Sequence, residues 1–142
     1  MAGSIEVLTF PATLDGFNAE FETLRSWLDQ EQVPPKPHYD AELVYEEIVT
    51  NIVRYGFDDP TGQTVEVKLE RLADGLIMTF TDSGVAFDPL QSADPEVPKT
   101  IDEAKIGGLG IKLVRQAAED LRYERTAQGQ NRLCVKISTT AE

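Results

Sequence analysis

Two hydrophobic periods alternate along this chain. Ile5 to Phe10 sets Glu6 beside Val7 and reads as a short strand. After Thr13-Leu14-Asp15, the residues Phe17, Phe21, Leu24 and Leu28 recur at close to helical spacing. Trp27 widens the stripe, so an amphipathic helix is predicted. Pro34-Pro35-Lys36-Pro37 ends that helix as a stiff connector. Asp40 is the expected N-cap of a second helix that runs to about Tyr55 and stops near Gly56. Val65, Val67 and Leu69 then alternate with Glu66, Lys68 and Glu70, the pattern of a strand with one buried and one wet face. Ala73-Asp74-Gly75 supplies turn chemistry and Leu76 to Thr81 the returning strand. From Leu90 to Ile106 no apolar period is sustained and Pro95 and Pro98 intervene; a loop of this length is usually functional or disordered. Ile111, Val114, Ala118 and Leu121 mark one face of a third helix. A hairpin closes the chain, Arg122 to Thr126 and Arg132 to Ile137, turning at Gln128-Gly129.

The predicted order is strand, helix, helix, strand, strand, helix, strand, strand. Hairpins dominate it, which implies an α+β fold: a two-layer sandwich with a mainly antiparallel sheet covered by helices on one face. With 142 residues the chain reads as one domain over 1–142.

Composition removes several functions. The net charge of −12, from 13 basic and 25 acidic residues, repels nucleic acid phosphates, so direct nucleic acid binding is not expected. The same surplus serves solubility or the steering of a basic partner, and the count does not separate the two. No apolar run is long enough to span a membrane, and the first residues lack the basic-then-apolar pattern of a secretion signal; a cytoplasmic protein is expected. One cysteine, Cys134, and one histidine, His38, leave no ordinary Cys/His zinc site. Cys134 falls on the strand face opposite Leu133, Val135 and Ile137 and reads as a small half-buried residue. His38, beside Pro37 at a helix start, reads as a surface or capping residue.

Three segments carry chemistry. In the second helix Glu47 and Asn51 lie four residues apart and so project from one face. Beside Val44 and Ile48 both need polar partners, and they suit a pocket where the carboxylate polarises a hydroxyl and the carboxamide oxygen grips a hard cation such as magnesium. By itself Glu-x-x-x-Asn also occurs on plain solvated faces. Asp82-Ser83-Gly84 follows directly on a strand. There an aspartate can accept from an amino group deep in a pocket, and a glycine lets a flat ring approach the backbone; an ordinary turn uses the same residues. Gly107-Gly108-Leu109-Gly110 lies between the long loop and a helix, where backbone N–H groups can face a phosphate chain. No Lys-Ser/Thr pair follows, so it is not a Walker loop. Lys105 and Lys99 lie near enough in sequence to neutralise phosphate or simply to solvate the loop.

In this order the segments resemble the asparagine box and the two glycine boxes of the GHKL ATP-binding superfamily, which includes histidine kinases, gyrases and heat-shock chaperones. The short length and the wording Glu-Ile-Val-Thr-Asn, Asp-Ser-Gly-Val-Ala-Phe-Asp-Pro and Gly-Gly-Leu-Gly-Ile look most like anti-sigma-factor serine/threonine kinases. The resemblance spans roughly residues 5 to 138. It implies a Bergerat-type fold, ATP and Mg²⁺ as cofactors, Glu47 as general base and Asn51 as magnesium ligand. It also implies Asp82 on the adenine amino group with Gly84 beside the ring, a lid at 90–106, and Gly107, Gly108, Leu109 and Gly110 at the phosphates. Lys105 stands where relatives often carry arginine. Gly129-Gln130-Asn131 replaces Gly-Thr-Thr, with Asn131 expected to keep a polar contact to the base region. Tyr55 stands where some relatives have histidine.

The implied activity is phosphorylation of a STAS-domain anti-anti-sigma factor by a homodimeric kinase that otherwise sequesters a sigma factor. Two alternatives stay open: a nucleotide-gated protein-binding module without phosphoryl transfer, and a histidine-kinase-type ATP-binding domain acting in trans. His38, in Pro-Lys-Pro-His-Tyr, is no phosphoacceptor helix, so a self-contained histidine kinase is excluded.

Overall fold

The computed structural model describes residues 4–88 and 108–140. Strand β1 (Ser4–Pro11) leads into helices α1 (Leu14–Gln30) and α2 (Pro35–Tyr55). Strands β2 (Thr64–Arg71) and β3 (Gly75–Asp82), helix α3 (Gly108–Ala117) and strands β4 (Asp120–Arg125) and β5 (Asn131–Ser138) follow. The strands form one antiparallel sheet in the order β1-β2-β3-β5-β4. This is the α+β arrangement expected from the hydrophobic pattern.

Register explains the core. Directly opposed residues share a sheet face. Leu8, Val67, Phe80 and Leu133 form one row across four strands, and Leu69, Met78 and Val135 lie in the next. All are buried, together with Leu24, Trp27 and Leu28 of α1, Val44, Tyr45, Ile48 and Val49 of α2, and Ile111 and Val114 of α3. Trp27 is thus a core residue. On the other face Thr79 and Cys134 are opposed and half-buried, with the Thr79 hydroxyl 3.9 Å from the Cys134 sulfur.

Several boundaries differ from the expected ones. In β1 the inward residues are Leu8 and Phe10, while Ile5 and Val7 point outward and are half-exposed. Apolar residues occupy both parities there, so alternation alone could not choose the face. Helix α2 begins at Pro35 and not after Asp40, so the proline run forms its first turn. The first N–H groups of a helix have no partner within it, and proline's fixed φ suits that position. The first intrahelical bond runs from His38 N–H to the Pro34 carbonyl at 2.9 Å. Asp40 therefore lies inside the helix, buried, with its carboxylate 2.6 Å from Lys36 Nζ one turn earlier. His38 is half-buried between the helices: Nδ1 lies 2.9 Å from Glu42 Oε2, and Nε2 lies 3.3 Å from Asp29 Oδ1 of α1 without hydrogen-bond alignment. Helix α3 ends at Ala117, and Leu121 belongs to β4, opposite Val135. A leucine that is in step with the helix and also fits the next strand is claimed by whichever partner can pair its backbone.

Helix α1 is N-capped by Thr13, whose Oγ1 accepts from Gly16 N–H at 3.0 Å. Phe17, Phe21 and Tyr45 pack ring against ring, and the Tyr45 hydroxyl donates to the Phe17 carbonyl at 2.8 Å. Burial pushes the Tyr45 phenol well above its ordinary range, so it stays a donor. No helix among the described residues is long and apolar enough to cross a membrane.

Two substitutions calibrate this core. Leu69→Ala, at the sheet centre, is expected to cost about 2–5 kcal/mol in urea unfolding. Tyr45→Phe should cost about 1 kcal/mol, because it removes one buried hydroxyl from an otherwise unchanged ring cluster. Equal losses for the two would contradict a core centred on the β2–β3 rows.

Candidate functional site

The inner face of the sheet ends on charge. Two residues beyond buried Phe80, on the same side, stands Asp82, itself buried. Register places Asn131, also buried, directly opposite it on β5 and Arg125 opposite Asn131 on β4. Asp82 Oδ1 accepts from Gly84 N–H at 2.8 Å and from Asn131 Nδ2 at 3.2 Å. Burial nevertheless raises the Asp82 carboxyl above the usual range. The Gly84 N–H, the Asn131 amide and the Arg125 guanidinium pull it down only in part. Both donors address Oδ1, which leaves Oδ2 for the donor of a ligand.

The loop after β3 is built by close approach. A Cβ on Gly84 would run into the Gly56 carbonyl oxygen and come within 2.9 Å of Asp82 Oδ1, so only glycine fits. The same Gly56 carbonyl accepts from Val85 N–H at 2.9 Å. The end of α2 and the loop after β3 are therefore one joint. The β4–β5 hairpin holds the loop from the other side. Asn131 Nδ2 also donates to the Val85 carbonyl at 2.8 Å, and Asn131 Oδ1 accepts from Phe87 N–H at 3.2 Å and from the Tyr123 hydroxyl at 2.5 Å. Arg125 donates to the Gly84 carbonyl at 2.9 Å, and Gln130 reaches Ser83 Oγ at 3.4 Å.

Helix α2 carries the other half. Glu47 and Asn51 are half-buried on successive turns. Burial raises the Glu47 carboxyl, and neighbouring Glu46 adds to the rise, while Arg54 opposes it. Helix α3 crosses against α2 so closely that a Cβ on buried Gly110 would overlap the Glu47 carboxylate. The first turn of α3 thus lies on Glu47. Gly108 opens that helix, so Gly108, Leu109 and Gly110 lie within the helix start and not in a loop before it. From Glu47 to Gly56 the rise along α2 is about 13 Å. Lys99, Lys105, Gly107 and the Leu90–Ile106 segment lie outside the described residues.

Sequence reasoning did not single out Tyr123 and Arg125, and took Gly56 only as a helix stop. The available signal was parity: Tyr123 and Arg125 alternate on a strand that a hairpin must pair with Asn131. That pairing depends on the register of the hairpin, which the turn residues alone did not reveal.

The profile of the histidine kinase-like ATPase domain family matches residues 10–137. Serine/threonine-protein kinase BtrW of Bordetella bronchiseptica is 28% identical over 104 residues, 73% of this chain and 72% of that protein. The structure of the RsbU and RsbW domains of Rv1364c from Mycobacterium tuberculosis superposes with a TM-score of 0.64 at 17% identity. The overlap takes in 98% of this chain and 34% of that one, so this chain spans about a third of the length of that solved chain. The SiaB–SiaC complex from Pseudomonas aeruginosa gives a TM-score of 0.61 at 16% identity, over 94% and 89% of the two chains. At these identities the two structures speak for the fold alone. The profile match takes in all three helices, β2 to β4, nearly all of β5 and every candidate residue from Glu47 to Asn131, and the chain belongs to the histidine kinase-like ATPase domain family.

Proposed function

We propose that this chain is an ATP-dependent serine/threonine protein kinase that acts as an anti-sigma regulatory factor. Its substrate would be a STAS-domain anti-anti-sigma factor, and in its other state a homodimer would hold a sigma factor in the cytoplasm. The observation that carries the enzymatic reading is the Glu47 carboxylate lying against Gly110 in the first turn of α3. A helix N-terminus offers N–H groups and a favourable dipole to phosphate oxygens. A general base beside it is poised on the reacting end of the nucleotide. The likeness to a protein named as a serine/threonine kinase supports the same choice.

The residues fit the nucleotide. Asp82 offers Oδ2 to an exocyclic amino group. Its neighbours Gly84 and Val85 are locked to the end of α2. Among the described residues no group of three His, Cys, Asp or Glu could cage a metal. A magnesium ion in a nucleotide site needs only one or two protein ligands, and Asn51 would be one. When bound, that ion neutralises charge on the phosphates. Glu47 would orient the serine or threonine hydroxyl and take its proton as the oxygen bonds to the γ-phosphorus and the bond to the β-phosphate breaks, releasing ADP. Its raised pKa makes it a better proton acceptor than an ordinary surface glutamate.

Calorimetry with ATP and magnesium is expected to give binding near one per chain, weakened by a chelator. Glu47→Ala should keep most ATP affinity while losing phosphoryl transfer by a factor on the order of 10²–10⁴. Asn51→Ala should weaken binding itself. Transfer at the wild-type rate by Glu47→Ala would refute the assignment of the base. A wild type that binds ATP and partner without transfer would favour the nucleotide-gated module. Acid-labile product would mark histidine phosphorylation in trans.

Gly110→Ala should fold, because the atoms it displaces are the flexible end of Glu47. Transfer should fall with little change in ATP affinity. Wild-type transfer by this variant would mean that Glu47 acts from another position.

Asp82→Asn has a pH-dependent signature. Burial raises the folded-state pKa above the unfolded one, so the folded protein holds that proton more tightly. The stability gained by protonation is present at low pH and lost as pH rises through the folded pKa. Above the folded pKa the charge is a net cost. Asparagine keeps an oxygen for Gly84 and Asn131 without the charge. The variant is expected to melt higher than wild type above the folded pKa of Asp82, with the gap closing as the pH falls through it. Its NH₂ would meet the adenine amino group donor to donor, so adenine selectivity should be lost. Unchanged ATP affinity would remove Asp82 from base recognition.

A further inference from the structure

We infer that Tyr123, on β4, is a positioning residue for nucleobase recognition, acting through the Asn131 carboxamide on Asp82. A carboxamide has two N–H donors and two acceptor lone pairs. In Asn131 all four are spent: Oδ1 on the Tyr123 hydroxyl and Phe87 N–H, Nδ2 on Asp82 Oδ1 and the Val85 carbonyl. Asn131 therefore has no polar group left for the base and bears on it only through Asp82. Its orientation is forced. Reversed, the amide would set oxygen against the Asp82 carboxylate and the Val85 carbonyl, and NH₂ against the Phe87 N–H.

Tyr123 makes the shortest of these bonds and approaches from outside the loop being held. Asp82, Val85 and Phe87 all belong to the segment to be positioned, whereas Tyr123 and Asn131 belong to the hairpin that positions it. Tyr123 is half-buried and opposes buried Leu133, so its ring is anchored in the sheet. Donation to Oδ1 polarises the amide and strengthens its N–H donors. Arg125, next on the same face of β4, holds the Gly84 carbonyl. With Oδ1 of Asp82 thus fixed, Oδ2 points where a ligand's amino group must come. Deleting the phenol leaves Asn131 Oδ1 with the longer Phe87 bond alone. The amide then gains freedom to tilt, and Asp82 with it.

This inference rests on the reading that Asp82 accepts from the adenine amino group. It is tested by measuring binding of ATP and of ITP, which carries a carbonyl in place of that amino group, to the full chain with magnesium. Wild type is expected to prefer ATP. Tyr123→Phe should reduce the ATP-to-ITP preference about three- to tenfold, the worth of one buried hydrogen bond, mainly through weaker ATP binding. Tyr45→Phe, which deletes a buried hydroxyl bonded to the Phe17 carbonyl and to no residue of the Asp82 cluster, should lower the melting temperature and leave the preference unchanged. Should Tyr123→Phe fail to fold, Asn131→Ser breaks the same link and should lower the same ratio. A preference unchanged in Tyr123→Phe, or lowered equally by Tyr45→Phe, would overturn the positioning role alone. A wild type that does not distinguish ATP from ITP would overturn the adenine reading of Asp82, and this inference with it.

Discussion

A carboxylate buried at the end of an apolar sheet face has to be compensated, and much of this site is the compensation around Asp82. Its neighbours along the inner face are valine, phenylalanine and leucine, which offer no hydrogen bond. What it has comes from the backbone of Gly84 and from Asn131. Those two in turn fix everything adjacent. Gly84 must be glycine because α2 ends against it, and Asn131 must reach four partners because the hairpin meets the loop there. Compensation is still incomplete, since burial leaves the carboxyl raised. A carboxyl group buried at such a cost is better explained by a ligand's donor than by folding.

The second constraint is steric. Helix α3 packs on α2 with a residue that has no side chain set against the Glu47 carboxylate, and a Cβ there would push that carboxylate aside. That residue is Gly110, and it brings a helix N-terminus and a carboxylate into contact. Phosphate binding and base catalysis call for the same two groups. The packing of the two helices and the meeting of that carboxylate with the helix start are therefore one event. Helix α2 links this contact to the Asp82 cluster, because the Gly56 carbonyl at its end holds the loop after β3.

Much of this was legible in the sequence. The element order, the buried parity of β2 and β5, and the pairing of Glu47 with Asn51 follow from spacing alone, because periods of 2.0 and 3.6 project residues to known faces. Asp82 and the glycines were recognisable as turn-forming residues placed directly after a strand or before a helix. Where apolar residues filled both parities, as in β1, the pattern carried no direction. Where a proline run could be either a connector or a first turn, as before α2, local chemistry was ambiguous. Neighbouring contacts settled both.

The sequence by itself determined which residues could do chemistry and on which element each one sits, since side-chain chemistry and local period are properties of short segments. The tertiary structure decided which of them meet. Asp82 and Asn131 are 49 residues apart, and only the β3–β5 register sets one opposite the other. Tyr123 and Arg125 became part of the site because an eight-residue separation across a hairpin turned into one hydrogen bond, and a 41-residue separation into another. Gly110 faces Glu47 because α3 crosses α2 at that turn. Such contacts depend on chain closure over long separations, where the free energy lies in packing and paired backbone, and no local window of sequence contains them.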